Sequence, residues 1–268
     1  MKKTLIALFL LSLIFYGCDM IEYHPYDGRV SGEKDINNKN IARIEEACKN
    51  KKNIKFAVVS DTQRWYDETE DFVKALNKRN DIDFVLHAGD VSDFGLTKEF
   101  IWMRDRLNKL DVPYVVILGN HDCLANGMDV FHSVFGEINF SFIAGNIKFV
   151  CLNTNALEFD YSHPVPDFEF ILKEQEDERK EYEKTVVAMH VRPYNEQFNN
   201  NIAPVFQRYI KEFHDLQFCI NGHEHQIQVD DLFNDGIIYY GCPNVGKKKY
   251  LIFSINQDDT YDYEVVEF

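Results

Sequence analysis

The sequence lacks several patterns that would assign it to other classes of protein. No two of its six cysteines have CxxC spacing, which argues against a zinc ribbon or a thiol redox motif. Basic side chains are in deficit, with 29 Lys and Arg against 44 Asp and Glu and a net charge of −15. Because nucleic-acid backbones are bound mainly through clustered Lys and Arg, we expect no nucleic-acid partner. The sequence has no internal repeat or low-complexity tract, so its 268 residues favour one domain.

An apolar run near the N-terminus is too short to cross a membrane. Two lysines precede this run, which covers residues 4–16, whereas a spanning helix needs about 20 apolar residues. The pattern predicts a secretion signal over residues 1–17. The Gly17-Cys18 pair that follows resembles the lipobox of bacterial lipoproteins, in which the cysteine is lipid-modified. Ordinary signal cleavage that leaves Cys18 as a free thiol is the alternative.

The predicted lipid would attach the protein to a membrane of the bacterial cell envelope, facing the periplasm or the cell surface. Residues 18–52 are polar and rich in Asn, Lys, Glu and Asp, which predicts a tether with a short helix near residues 41–49. Residues 53–268 are expected to form the folded domain.

Eight short apolar runs predict β-strands. Segments with helical periodicity at residues 68–78 and 98–110 separate the first three runs, and this βαβαβ order implies parallel pairing. The runs are residues 54–59, 83–87, 114–118, 147–152, 185–189, 218–220, 237–240 and 250–255.

The second half of the sequence has a different pattern. Helices are predicted at residues 167–184 and 203–214, and the Asn-Asp-Gly sequence at 234–236 is typical of a β-hairpin turn. We therefore expect a mixed α/β architecture whose second sheet is more antiparallel than its first.

Polar clusters follow five of the predicted strands, where ligands bind in open α/β sheets. They supply carboxylate, amide and imidazole groups, a ligand set suited to Mn, Fe or Zn. A carboxylate such as that of Asp90 can bridge two cations, which would clamp a phosphate. Each cluster alone has a structural explanation as a helix cap or turn, but their joint occurrence favours a metal site. The clusters are residues 61–63, 89–93, 119–122, 190 and 222–225.

In order and spacing, the clusters resemble the signature of the calcineurin-like metallophosphoesterase superfamily. The resemblance spans residues 61–225 and implies an α/β fold, a two-sheet mixed β-sandwich flanked by α-helices. It also implies two divalent metal ions. One would be held by Asp61, Asp90 and His225, and the other by Asp90, Asn120, His190 and His223.

One predicted ligand departs from the pattern of the family. Gln63 stands where the family usually has a histidine, and its amide oxygen is a weaker, harder donor than imidazole. We therefore expect the first metal site to be looser or to favour Mn or Mg. The resemblance gives His121 the role of protonating the leaving group or stabilising phosphoryl oxygens, and it gives Asp93 the role of orienting His121.

The predicted function is hydrolysis of a phosphomonoester or phosphodiester through attack by a metal-bridging hydroxide. A catalytically weak metal-binding scaffold of the same fold, or a nuclease, is the alternative. Asn120 and Arg192 are predicted to contact the substrate. Arg64, Trp65 and Tyr194 either line the same cleft or are exposed loop side chains. The sequence indicates neither the particular substrate nor the oligomeric state.

Overall fold

The computed structural model describes residues 27–156, 164–176, 182–258 and 260–268. Cys18 and the apolar run before it lie outside these ranges, so the secretion signal and the lipidation stay predictions. Within the described ranges, no helix has both the length and the apolar character needed to cross a membrane.

Helices and strands alternate along most of the described chain. The helices are α1 (Ile36–Cys48), α2 (Tyr66–Leu76), α3 (Thr97–Leu107), α4 (Gly127–Val134), α5 (Phe168–Gln175) and α6 (Ala203–Ile210). The strands are β1 (Ile54–Val59), β2 (Phe84–His87), β3 (Tyr114–Val116), β4 (Phe140–Ala144), β5 (Ile147–Leu152), β6 (Lys184–Met189), β7 (Leu216–Asn221), β8 (Gln228–Asp230), β9 (Tyr239–Gly241), β10 (Lys249–Ile255) and β11 (Tyr261–Glu267).

The strands form two mixed sheets. The first has the order β11-β10-β1-β2-β3, and the second has the order β4-β5-β6-β7-β9-β8. With helices on their outer faces, the sheets confirm the predicted two-sheet α/β sandwich. The expectation of a more antiparallel second sheet is wrong, because its inner strands β5, β6, β7 and β9 are all parallel. Crossovers through α5 and α6 join β5 to β6 and β6 to β7, and such crossovers are the connections that parallel strands need.

Phenylalanine rings fill the space between the two sheets. Phe56 on β1 meets Phe149 on β5 edge to face at 5.1 Å, and Phe218 on β7 stacks on Phe253 of β10 at 4.8 Å. The alternate side chains of β1, including Ala57, face the helix layer instead. Because β1 is buried on both faces, its sequence is apolar at every position except the half-buried Lys55.

Helix α1 covers the edge of the first sheet. The side chain of Asn37 donates to Val116 O at 2.8 Å and accepts from Val116 N at 2.9 Å, and Asn40 donates to Tyr114 O at 2.8 Å. Ile44 and Cys48 of this helix are fully buried in the core. The helix starts five residues before its predicted start, and this part of the predicted tether segment packs on the sandwich.

Two predicted elements need correction. The helix expected at residues 167–184 ends at Gln175, and Lys184 begins β6, where it is buried and donates to Asn256 O at 2.6 Å. The charged side chain made this strand residue look like part of a solvated helix. Strands β8 and β9 pair as an antiparallel hairpin around the predicted turn at residues 234–236. They are joined by a longer loop, residues 231–238, which includes the residues expected to flank the turn as strands.

Candidate metal centre

The predicted ligands follow the C-terminal ends of strands in both sheets. Asp61 and Asp90 follow β1 and β2 of the first sheet, and His190 follows β6 of the second. Ligand atoms of these three buried residues lie within 4.8 Å of one another. Asn120 follows β3, and His223 and His225 follow β7. The fold therefore brings the predicted set together across the two sheets.

Four of the predicted ligands have a left-handed backbone conformation. The φ angles are 53° at Asp61, 62° at Asp90, 68° at His223 and 54° at His225. Such angles are uncommon for residues other than glycine, cost about 1–3 kcal/mol, and persist where the surroundings enforce them. Gly89 shows how crowded the turn is, because a Cβ there would lie 2.5 Å from the imidazole of His190.

Four donor atoms of the second predicted metal site converge. Asn120 Oδ1 lies 3.1 Å from His190 Nε2 and 3.0 Å from His223 Nδ1. Asp90 Oδ2 is 3.4 Å from the same His190 nitrogen. His190 Nδ1 donates to Ala88 O at 2.7 Å, so in the neutral ring the lone pair is on Nε2 and points at the cluster. One carboxylate, one amide and two imidazoles suit a divalent transition metal.

The first predicted site contains buried acceptors without hydrogen bonds. Asp61 Oδ2 accepts from Ser60 Oγ at 2.5 Å and from His223 N at 3.2 Å, but Oδ1 accepts no well-aligned hydrogen bond from the described residues. His225 Nε2 lies 3.1 Å from this Oδ1. Gln63 is buried with its Oε1 also unpaired, while its Nε2 donates to Asp90 Oδ2 at 3.1 Å. Buried acceptors are normally paired, so a cation would complete this arrangement.

The three histidines of the cluster differ in their pKa values. Burial opposes ionisation of His190, but the carboxylates of Asp90 and Asp61 raise its pKa to about 10. Burial and the neighbouring His190 lower the pKa of His223 to about 4. The adjacent Asp61 carboxylate raises the pKa of His225. A divalent cation would compete with the proton of His190 for the same carboxylates.

His121 lies beside the cluster and keeps one ring nitrogen occupied. Its main-chain N donates to Asp90 Oδ1 at 3.0 Å, and its Nδ1 donates to the main-chain carbonyl of Asp93 at 2.8 Å. The Asp93 carboxylate is 3.7 Å from Nδ1 and forms an ion pair with Arg64. Asp93 therefore contacts His121 through its main-chain carbonyl, and its role in orienting His121 stays a prediction. This contact leaves Nε2 of His121 as the nitrogen available for proton transfer.

Asp122 has a position that the sequence analysis did not anticipate. Its fully buried carboxylate accepts from the main-chain N of Gly119 at 2.9 Å, of Asp90 at 3.0 Å and of Ser92 at 2.8 Å. It thus joins the loop that carries Asn120 to the loop that carries Asp90. The one feature of the sequence that pointed to a role for Asp122 is its position two residues after the predicted ligand Asn120.

The contacts of the Arg192 side chain do not favour its predicted role in binding the substrate. Its Nε lies 3.2 Å from Glu224 Oε1, and its Nη1 donates to Asp230 Oδ2 at 2.9 Å. The side chain is 16% exposed. Arg192 therefore ties its loop to the segment between His223 and His225, which favours a positioning role over contact with the substrate.

His87, the last residue of β2, is a buried residue with a structural role. Gly89 N donates to its Nδ1 at 3.2 Å, and its Nε2 lies 2.8 Å from Thr62 Oγ1. Complete burial lowers the pKa of His87 to about 3, so the ring is neutral.

The two mixed sheets, and the carboxylate and imidazole groups clustered at their strand ends, agree with the fold of the calcineurin-like phosphoesterases. The family model described as calcineurin-like phosphoesterase matches residues 54–227, and the chain belongs to this family. Membership supports a metal-dependent hydrolase of phosphate esters.

Comparisons with single proteins agree with this assignment. The chain is 27% identical over 99 residues to a 3',5'-cyclic-nucleotide phosphodiesterase of Nostoc sp., a match that covers 35% of this chain and 37% of that protein. The match thus spans about a third of the length of this curated relative.

Among solved structures, the chain resembles GAP50, the anchor in the inner membrane complex of Plasmodium, with a TM-score of 0.59, 12% identity and coverage of 81% and 85% of the two chains. It also resembles the 5'-nucleotidase of Candida albicans, with a TM-score of 0.56, 13% identity and coverage of 82% and 52%. The corresponding values for a purple acid phosphatase from yellow lupin are 0.54, 13%, 91% and 55%. At these identities the structures show a common fold.

Proposed function

We propose that the protein hydrolyses a phosphomonoester or phosphodiester with two divalent metal ions, Mn, Fe or Zn. The observation that carries this proposal is the convergence of ligand atoms from both sheets beside His121. Asp61, Gln63, Asp90 and His225 would hold one ion. Asp90, Asn120, His190 and His223 would hold the other, and Asp90 would be a ligand of both.

The ions, when bound, would stabilise charge on the phosphoryl oxygens and activate a water molecule. The amide of Asn120 would help to position the phosphoryl group. His121 would protonate the departing oxygen from Nε2, because its Nδ1 is held by the carbonyl of Asp93 at 2.8 Å. The Nostoc relative, a cyclic-nucleotide phosphodiesterase by name, supports including diesters among the candidate substrates.

Metal analysis combined with an ester screen tests this function. The protein is loaded separately with Mn, Fe or Zn and offered p-nitrophenyl phosphate and bis(p-nitrophenyl) phosphate. We expect release of nitrophenol that stops on chelation and returns when the metal is restored. Metal-loaded protein that hydrolyses neither these esters nor a broader panel would favour a scaffold instead. The similar Plasmodium protein, which is described as an anchor, supports keeping that alternative.

The proposed location is the bacterial envelope, with attachment through a lipid on Cys18. The short apolar run and the Gly17-Cys18 pair support this location. Labelling of bacteria that express the full chain with a radioactive fatty acid tests it, with Cys18→Ser as the control. A label that persists in the Cys18→Ser variant would overturn lipidation at this cysteine.

A further inference from the structure

Arg64 directly follows a predicted metal ligand and has a constrained backbone. Its φ is 61°, in the left-handed region. The main-chain N of Gln63 donates to Asp90 O at 3.1 Å, and Trp65 N donates to Thr62 O at 3.0 Å. These bonds fix the turn on both sides of Arg64. The backbone position of Arg64 is therefore fixed by the same loop that carries Gln63.

The guanidinium of Arg64 and the ring of His121 share one neighbour. Arg64 pairs with Asp93 Oδ1, and the main-chain carbonyl of Asp93 holds His121 Nδ1. The Asp93 side chain is 12% exposed, whereas that of Arg64 is 58% exposed. Among the described residues, Asp93 accepts the one side-chain hydrogen bond of Arg64. A guanidinium has five N–H donors, so Arg64 retains donors that face solvent beside His121.

Arg64 and Arg192 have opposite surroundings. Arg192 is mostly buried and neutralised by Glu224 and Asp230. Arg64 has one carboxylate partner and an exposed head. The chain has a net charge of −15, yet Arg64 places an accessible positive charge next to His121, the proposed proton donor. Guanidinium groups bind carboxylates and phosphates through paired hydrogen bonds.

We propose that Arg64 binds a second anionic group, a carboxylate or a phosphate, on the leaving group of the substrate. The proposal rests on the proposed function, because a group that protonates the departing oxygen must lie on the leaving-group side of the phosphoryl centre. Arg64 and His121 both contact Asp93, so Arg64 lies on that side too. The substrate class is therefore a phosphate ester of an alcohol that itself carries a negative charge.

Two pairs of matched compounds test this specificity on the full protein. The first pair is phenyl phosphate and 3-carboxyphenyl phosphate, each also used as its methyl diester. The second pair is the non-hydrolysable benzylphosphonate and its 3-carboxy derivative, whose binding to metal-loaded protein is measured by calorimetry. The variants are Arg64→Ala and Arg64→Lys. The control is Arg79→Ala, since Arg79 also pairs with carboxylates but precedes β2, at the end of that strand away from the metal centre.

Because the proposed contact between Arg64 and the carboxylate is a charge-assisted hydrogen bond, we expect wild type to prefer the carboxylated ester by about 10- to 100-fold in kcat/KM. Arg64→Ala should reduce this ratio to about one, Arg64→Lys should keep part of it, and Arg79→Ala should keep all of it. Equal ratios in wild type and Arg64→Ala, or no preference in wild type, would overturn the proposal. Thermal melting verifies that each variant is folded, and if Arg64→Ala does not fold, the same ratios are measured with Arg64→Gln.

The phosphonates separate failure of this proposal from failure of the proposed function. If wild type hydrolyses neither ester and no ester of the broader panel, the proposed hydrolysis is wrong. Recognition of the anion is then decided by calorimetry alone. A binding preference for the carboxylated phosphonate that disappears in Arg64→Ala supports the proposal, and a preference that remains overturns it.

Discussion

Asn120 Oδ1 lies 3.1 Å from His190 Nε2, although the two residues follow strands of different sheets. Asn120 extends from the first sheet and His190 from the second. The contact joins the two sheets at the candidate metal centre. A cation that binds both atoms would therefore link the two sheets as well as serve the chemistry.

Bound metal is expected to stabilise the fold. At a free metal concentration 100 times the dissociation constant, the gain in the free energy of unfolding is about 2.7 kcal/mol. Chelation should therefore lower the melting temperature of wild type in a calorimetric scan. His190→Ala removes a central ligand and should make the melting temperature insensitive to the chelator. A wild-type melting temperature that ignores chelation would contradict metal binding at this site.

Replacement of His121 by alanine should lower kcat and leave the metals bound. Loss of a general acid typically costs about 10²- to 10⁴-fold in rate. The measurement is turnover of phenyl phosphate, whose phenolate leaves poorly unless it is protonated, together with metal content from mass spectrometry. The control is His132→Ala, because His132 is an exposed histidine that pairs with Glu137. Unchanged turnover in His121→Ala would show that another group protonates the leaving oxygen or that none is needed.

Asp122→Asn is expected to weaken both the fold and metal binding. The carboxylate accepts hydrogen bonds from four main-chain N–H groups and from Ser92 Oγ, and an amide would turn a donor towards some of them. We expect a loss of about 1–3 kcal/mol in the free energy of unfolding and a weaker metal affinity. Denaturant titration and metal titration measure the two effects.

The matched control for Asp122 is Ser92→Ala, which removes one hydrogen bond to the same carboxylate, of 2.9 Å. It should cost about 1 kcal/mol. If Asp122→Asn is no more damaging than Ser92→Ala, the carboxylate does not hold the two ligand loops in place.

Gln63→His should strengthen the first metal site and shift its preference towards Zn. Imidazole is a better donor than an amide oxygen for borderline metals. Resistance of each metal to stepwise chelation is measured for the variant and the parent. Gln257→His, at an exposed loop position, controls for the added histidine. Equal metal retention and equal preference in variant and parent would show that Gln63 does not limit this site.

Much of the architecture follows from local sequence patterns. β1 is apolar apart from Lys55, and the periodicity of α2 is visible in its buried Phe72, Val73 and Leu76. Hydrophobic patterns did not predict strands correctly where the burial of a residue disagrees with the polarity of its side chain. Lys184 is charged but 1% exposed at the start of β6, and β11 is mostly exposed, so neither has the expected composition.

The sequence by itself determined which ligand types follow which strands. It also predicted that these ligands lie together, because the carboxyl ends of parallel strands meet at one edge of a sheet. Tertiary structure decided how the side chains share partners. His223 N donates to Asp61 Oδ2 across 162 positions of sequence, and no local pattern encodes such a contact. The exposure of Arg64, the ion pairs of Arg192 and the loop contacts of Asp122 depend in the same way on residues that only folding brings together.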